Sequence, residues 1–293
     1  MGVLSLIVSP QLSSGVVVAV NLLVMVAIIL GSAALGVALM AVVRRLRTTD
    51  ELFHDSERGS DVFGFVGSAF ALLLAFVIVQ AYDYFNDARG GVEQEALAVV
   101  EIDRTADFFE PADQERLSAA AICYGRAVVN RGWPAMTAGQ EGSPVTDIWV
   151  HELVAAERSV AIGDNKVTNV AFYQLLEEQD QLTEGRRERI HAATLDLPAP
   201  VWLILILGTV LTAGWTVFFL ADRREKFWVQ ACIPAAVFSF ISAGLLLIWV
   251  LDNPYHGETS ILPPTEMAEV LEAIEGERMP IDLPCDRVGN RVE

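Results

Sequence analysis

Four phenylalanines, Phe63, Phe65, Phe70 and Phe76, share one apolar run, and Tyr82, Asp83, Asp87, Arg89 and Glu93 come closely behind it. Aromatic rings repeated around an axis can form a hydrophobic constriction that gates by dewetting, and a ring of carboxylates at its mouth favours cations. Gly64, Gly67 and Ser68 lie among the rings, and such small residues also serve ordinary close packing between membrane helices. The run is therefore a pore face or a packing face. Under the second reading Tyr82 and Tyr84 are aromatic anchors at headgroup depth. Acidic pairs such as Asp83 with Asp87, or Glu177 with Glu178, can hold a cation or share a proton. Among 38 acidic residues such pairs also arise by chance, and no metal site is expected.

Other chemistry is sparse. The histidines His54, His151, His191 and His256 stand singly, without the spacing of a zinc protease. Three scattered cysteines do not make a tetracysteine zinc site, and neither a glycine-rich phosphate loop nor a G-x-S-x-G elbow occurs. The sequence predicts neither an enzyme nor a cofactor.

Composition sets the framework that carries these residues. The 293 residues are 53% hydrophobic and only 20% charged, with a mean hydropathy of +0.41. That is too apolar for an ordinary soluble domain. A spanning helix needs about 20 apolar residues, and four runs qualify: 15–43, 62–81, 198–220 and 229–251. The first lacks a basic start and a clear cleavage site, so it reads as retained. The predicted fold is an all-α integral membrane protein with two pairs of spans, 1–81 and 198–251. An acidic, water-exposed helical domain, 82–197, lies between them, and an acidic tail with a short amphipathic helix, 252–293, completes the chain.

Charge sorts with these segments. Residues 82–197 hold 21 acidic and 10 basic side chains, and 252–293 hold 10 and 3; the resulting −11 and −7 account for the net −18. Nothing so acidic can replace counterions along nucleic acid. Basic residues cluster instead at Arg44, Arg45, Arg47 and Arg58, and at Arg223, Arg224 and Lys226. Short basic loops stay in the cytoplasm, so the domain and both termini are expected outside the inner membrane of a bacterium. Arg186, Arg187 and Arg189, near the third span, pull the other way. Cys232, opening the fourth span, is expected to be buried and inert. Cys123 and Cys285 lie in the two segments assigned to the outer side, where they either form a disulfide or remain thiols.

Within the domain, Val92, Ala96, Val99 and Ala106 keep helical spacing, and Pro111 opens a second helix with Leu117, Ala121, Tyr124 and Val128 inward. The stretch "NRGWPAM" is expected to break the chain. A third helix runs from Ser143-Pro144 to Ser159, and a fourth from about 165 to 194 with Val167, Val170, Leu175 and Leu182 inward. In the tail, Met267, Val270, Leu271 and Ile274 form one apolar face stopping at Gly276, suited to docking on the acidic domain.

The exit "FVIVQAYDYFNDAR" resembles the segment after the pore helix of bacterial bestrophins: Phe76, Ala81, Tyr82, Asp83 and Arg89 match, and Asp87 stands for a glutamate. Val77, Val79 and Tyr84 replace that family's arginine, asparagine and second arginine. A closer resemblance is to a bacterial family called bestrophin-like. It is carried by Ala88, Arg89, Glu95 and Ala96, by Trp133-Pro134, by Arg186 and Arg189, by "LPAPVW" from Leu197, and by "LDNPYHG" from Leu251. The resemblance implies a homo-oligomer in membrane lipid whose second span lines an ion pathway. It also implies a cytosolic domain, against the charge argument. The competing expectation is a non-conducting scaffold, sensor or accessory subunit with a protein partner on the acidic domain.

Overall fold

The computed structural model describes residues 10–46, 56–161, 164–194, 197–220, 226–255, 261–278 and 280–292. Helices dominate: α1 (Pro10–Leu46), α2 (Ser56–Ala106), α3 (Pro111–Ala127), α4 (Trp133–Thr137), α5 (Pro144–Ser159), α6 (Lys166–Ala192), α7 (Ala199–Leu220), α8 (Phe227–Asp252) and α9 (Thr265–Arg278). Among the described residues the only bridge between extended segments is an isolated one, Cys285 with Arg291. Four helices, α1, α2, α7 and α8, are long and apolar enough to cross a membrane. The basic residues Arg47, Arg223 and Arg224, and His54 and His256, lie outside the described residues. The chain divides into unit 1, Met1–Asp83 with Asp196–Asp252, and unit 2, Tyr84–Leu195 with Asn253–Glu293.

In unit 1 the helices meet where side chains are smallest. Lipid tails are as apolar as leucine, so close packing and hydrogen bonds, rather than water exclusion, hold spans together. A Cβ on Gly36 of α1 would lie 3.0 Å from the Pro234 carbonyl oxygen of α8, and Ser32 Oγ donates to the Phe238 carbonyl at 3.3 Å. α2 seats Phe70 on Gly208 of α7 and Leu74 on Gly244 of α8. Arg44 Nη1 donates to Gln230 Oε1 at 3.2 Å, and its guanidinium sits 5.9 Å from the Phe227 ring centre. Cys232 is exposed rather than buried. The inward face of α8 is Ala231, Pro234, Ile241 and Ile248, and Cys232 stands one position off it.

Unit 2 closes around one hydrophobic cluster to which α2 gives Val92, Ala96, Val99, Ile102 and Ala106, α3 gives Leu117, Ala121 and Tyr124, and α6 gives Leu175 and Leu182. Ser143 and Asn165 cap α5 and α6, each accepting from the backbone N–H two residues on. The expected break at "NRGWPAM" does not occur. Val128–Gly132 forms a π-helical turn that carries the chain directly from α3 into α4. Pro134 has no N–H to give a regular helix and its ring crowds the preceding turn, and the wider π turn absorbs both. Val167 and Val170 are exposed, not inward, because the buried face of α6 is carried by Ala171, Leu175, Glu178 and Leu182. α9 runs past Gly276 to Arg278, whose guanidinium holds the last turn by bonding both Asp103 oxygens, the Asp103 carbonyl and Asp107.

Candidate functional site

The four phenylalanines of α2 do not share a face. Phe70 is buried, its ring filling the space over Gly208, and Phe63, seven residues earlier and half-buried, lies on the same side of the helix. Phe65 and Phe76 are 76% and 69% exposed. With Leu72 and Val79 they form an exposed apolar stripe at steps of three, four and seven residues, continued by exposed Asp83 at the end of unit 1. Tyr82 is exposed, as are Tyr84 and Asp87 in unit 2. Arg89 and Glu93, also in unit 2, pair with each other at 2.7 Å, an exposed i,i+4 ion pair. Among the described residues no group of three or more His, Cys, Asp or Glu side chains is placed to hold a metal ion.

Cys123 of α3 and Cys285 of the tail are joined as a disulfide, with Cα atoms 5.8 Å apart across 162 residues of sequence. Both are buried. The neighbouring Arg126 donates to Glu275 Oε1 at 2.7 Å and to the Asp286 carbonyl at 3.2 Å. Beyond the bond, Trp149 Nε1 donates to the Gly289 carbonyl at 2.7 Å. Gly289 has φ +82°, and a Cβ there would meet the Ala127 backbone at 2.5 Å, so only glycine fits.

The most heavily engineered place in unit 2 is one to which the sequence alone attaches no role. α2 and α6 touch backbone to backbone at Gly91 and Gly185: a Cβ on Gly185 would lie 2.6 Å from the Glu95 nitrogen and 2.7 Å from the Gly91 carbonyl oxygen. Four residues beyond each glycine stand Glu95 and Arg189, each only 1% exposed, joined by two bonds of 2.5 Å and 2.9 Å. The Tyr124 hydroxyl donates to the same carboxylate. The Trp133 ring centre lies 5.2 Å from the guanidinium, and Arg189 Nη1 reaches Met136 Sδ at 3.2 Å. Trp133 meets Tyr255 edge to face at 5.9 Å and donates to the Leu262 carbonyl at 2.9 Å, while the Tyr255 hydroxyl donates to the Ala88 carbonyl at 3.2 Å.

Burial is the largest influence on both tyrosines, pushing their hydroxyls far above their ordinary range. For Arg189 burial pulls down, but Glu95 opposite it more than compensates, and the guanidinium is held above its usual value. Neither the tyrosines nor the arginine of this cluster change charge near neutral pH. It is a fixed clamp joining α2, α3, α4, α6 and the segment after α8. The shared family pattern marks Ala88, Glu95, Trp133, Arg189 and the Tyr255 segment without linking them. The one legible hint is Glu95 itself, a carboxylate three residues after Val92 on the inward face of α2. In unit 1 two further pattern elements meet, where the Leu197 N–H donates to Asp252 Oδ1 at 2.9 Å.

Glu178 marks a weaker point of the same α2–α6 contact. Thr105 donates to its Oε1 at 2.8 Å, while its buried Oε2 has no partner among the described residues. Burial raises its pKa, against the lowering effect of the Thr105 hydrogen bond, and Glu101 and Glu177 add to the rise. A raised folded-state pKa means the folded protein binds more protons, so stability falls as pH climbs from the unfolded value through the folded one. Glu178→Gln should therefore stabilise unit 2 by roughly 1 kcal/mol at pH 7, with the gain fading as pH falls from the folded-state pKa and gone below about pH 4.5. Thermal unfolding across pH checks this, and a constant difference at all pH values would contradict it.

A sequence model of the bestrophin-like domain matches residues 30–265. The fold is similar to crystal structures of two mutants of a bacterial bestrophin homolog from Klebsiella pneumoniae. One gives a TM-score of 0.65 at 15% identity, covering 85% of this chain and 98% of that one; the other gives 0.65 at 14%, with the same coverage. It is also similar to the crystal structure of a protein described only as a membrane protein, with TM-score 0.66 at 15% identity, covering 90% of this chain and all of that one. Among curated proteins nothing matches. At these identities the structures speak for the fold alone, and the domain match speaks for descent: this chain belongs to the bestrophin-like family.

Proposed function

We propose that the chain is one subunit of a symmetric oligomeric ion channel in a bacterial inner membrane, with α2 lining the pore. The observation that carries this reading is the exposed apolar stripe Phe65, Leu72, Phe76 and Val79 on α2, which no other described helix of unit 1 covers. Phe65 and Phe76 are the proposed constriction, closing by dewetting. Phe63 and Phe70 serve the packing of the subunit. Asp83 and Asp87 form acidic rings at the mouth, and since valine and tyrosine stand where the bestrophins have arginine, the pore selects cations. The basic loops put unit 2 and both termini outside the cytoplasm, and the Cys123–Cys285 bond supports that side, because disulfides persist in oxidising compartments.

Purified protein in a planar bilayer tests the pore. Phe76→Ala should raise conductance or open probability several-fold with little loss of stability. Phe70→Ala should leave the pore unchanged but cost about 3 kcal/mol by opening a cavity over Gly208. A protein that is monomeric both in mild detergent and in native membranes sinks the proposal, since a pore of this kind needs symmetry. Orientation is read from a membrane-impermeant thiol reagent on intact cells: after reduction, Cys123 and Cys285 should label without lysis.

A further inference from the structure

We infer that unit 2 carries a docking cleft for a basic, partly apolar segment of another protein. The cleft lies between α3, α5 and the tail and has a volume of about 540 Å³. Its lining includes Ala112 and Ala119 of α3, Ala155 and Ala156 of α5, and Trp149. Alanine at all four positions leaves open a space that larger side chains would fill. The rim carries charge of one sign in excess: Glu115, Glu152 and Asp282 against Arg116 alone.

Arg116 is committed to Asp113 at 2.7 Å and to Ser159 Oγ at 2.8 Å, and Glu152 to Arg291 at 2.9 Å. Glu115 and Asp282, both exposed, make no ion pair among the described residues and line the same cleft as the alanines. The arrangement suits a lysine or arginine whose methylene stem lies on the alanines while its cationic head reaches the rim. Unit 2 as a whole repels acidic occupants, with a net −9 over residues 84–195 and −6 over 253–293.

One wall lies outside the family match. Asp282 and Pro284 belong to the tail, beyond the 30–265 match to the family domain, and Pro284 precedes the disulfide residue Cys285. The bond that pins the tail thus also fixes the wall of the cleft. None of this depends on whether unit 1 conducts.

The test uses the full-length protein in detergent and three fluorescent probes at about 0.15 M salt: a Leu-Lys-Leu-Lys-Leu peptide, its Leu-Glu-Leu-Glu-Leu counterpart, and labelled cadaverine. The basic peptide should bind saturably and weaken as salt rises. Glu115→Gln with Asp282→Asn should weaken it about fivefold, and Ala155→Leu should abolish it without lowering the melting temperature. Equal binding of the acidic peptide, or full binding retained by Ala155→Leu, overturns the inference. Cadaverine binding as tightly as the peptide also overturns it, in favour of a site for small cations.

Discussion

Arg189→Met is expected to cost unit 2 about 3–5 kcal/mol, because the change strands the Glu95 carboxylate in an interior where both partners are only 1% exposed. The native pair survives burial because its charges are fully employed: two bonds to the guanidinium, the Tyr124 hydroxyl on the carboxylate, and the Trp133 ring beside the cation. Arg189→Lys should recover little, since an ammonium cannot make the parallel bonds and stack on Trp133 together. Rescue by removing the second charge distinguishes a stranded carboxylate from lost packing. Removing both charges with Glu95→Leu and Arg189→Met, plus Tyr124→Phe to spare the orphaned hydroxyl, should restore most of the stability. Urea unfolding followed by tryptophan fluorescence provides the numbers. A loss below about 1 kcal/mol would mean that the pair is surface-like in its energetics.

Cys285→Ser is the second large effect. A bond closing 162 residues has a loop-entropy contribution of about 5 kcal/mol at most. Spans that stay embedded constrain the reduced chain as well, so the expected loss is about 2–4 kcal/mol. It should be local. α9 keeps its own anchors, Arg278 on Asp103 and Leu271 beside Gly125, whereas residues 280–292 depend on the bond, on Arg126 and on Trp149. Hydrogen exchange should therefore rise first across 280–292, with Thr265–Arg278 responding only partly. Because both sulfurs are buried, reductant should act slowly on the folded protein and quickly in urea. Rapid reduction under native conditions, or an unchanged melting temperature in the serine variant, would remove the bond from the account of stability.

Much of unit 2 is readable from the chain because local rules and tertiary structure agree there. Val92, Ala96, Val99 and Ala106 sit at helical spacing and are buried, and Ser143 and Asn165 cap the helices they precede. Where the two diverge, the causes are physical. Trp133-Pro134 looks like a stop, but one π turn lets the helix pass. Val167 and Val170 are apolar, yet they are exposed in the first turns of α6, ahead of its buried face, which begins at Ala171. Hydropathy points Cys232 inward because its surroundings are apolar, but in a span every face is apolar, so hydropathy alone cannot tell inside from outside.

The same limit applies to the phenylalanines of α2. Their membership of a spanning helix, the acidity of residues 82–197 and the family pattern are properties of the chain order, because length, hydropathy and charge act residue by residue. Which of them turns inward is set by Gly208 and Gly244, far along the sequence, whose missing side chains admit Phe70 and Leu74 and so leave Phe65 and Phe76 exposed. The clamp is likewise tertiary. Glycines at 91 and 185 let two helices touch, and only that approach brings Glu95 to Arg189 across 94 positions. A sequence carries both ends of such a contact, but only the fold brings them within bonding distance.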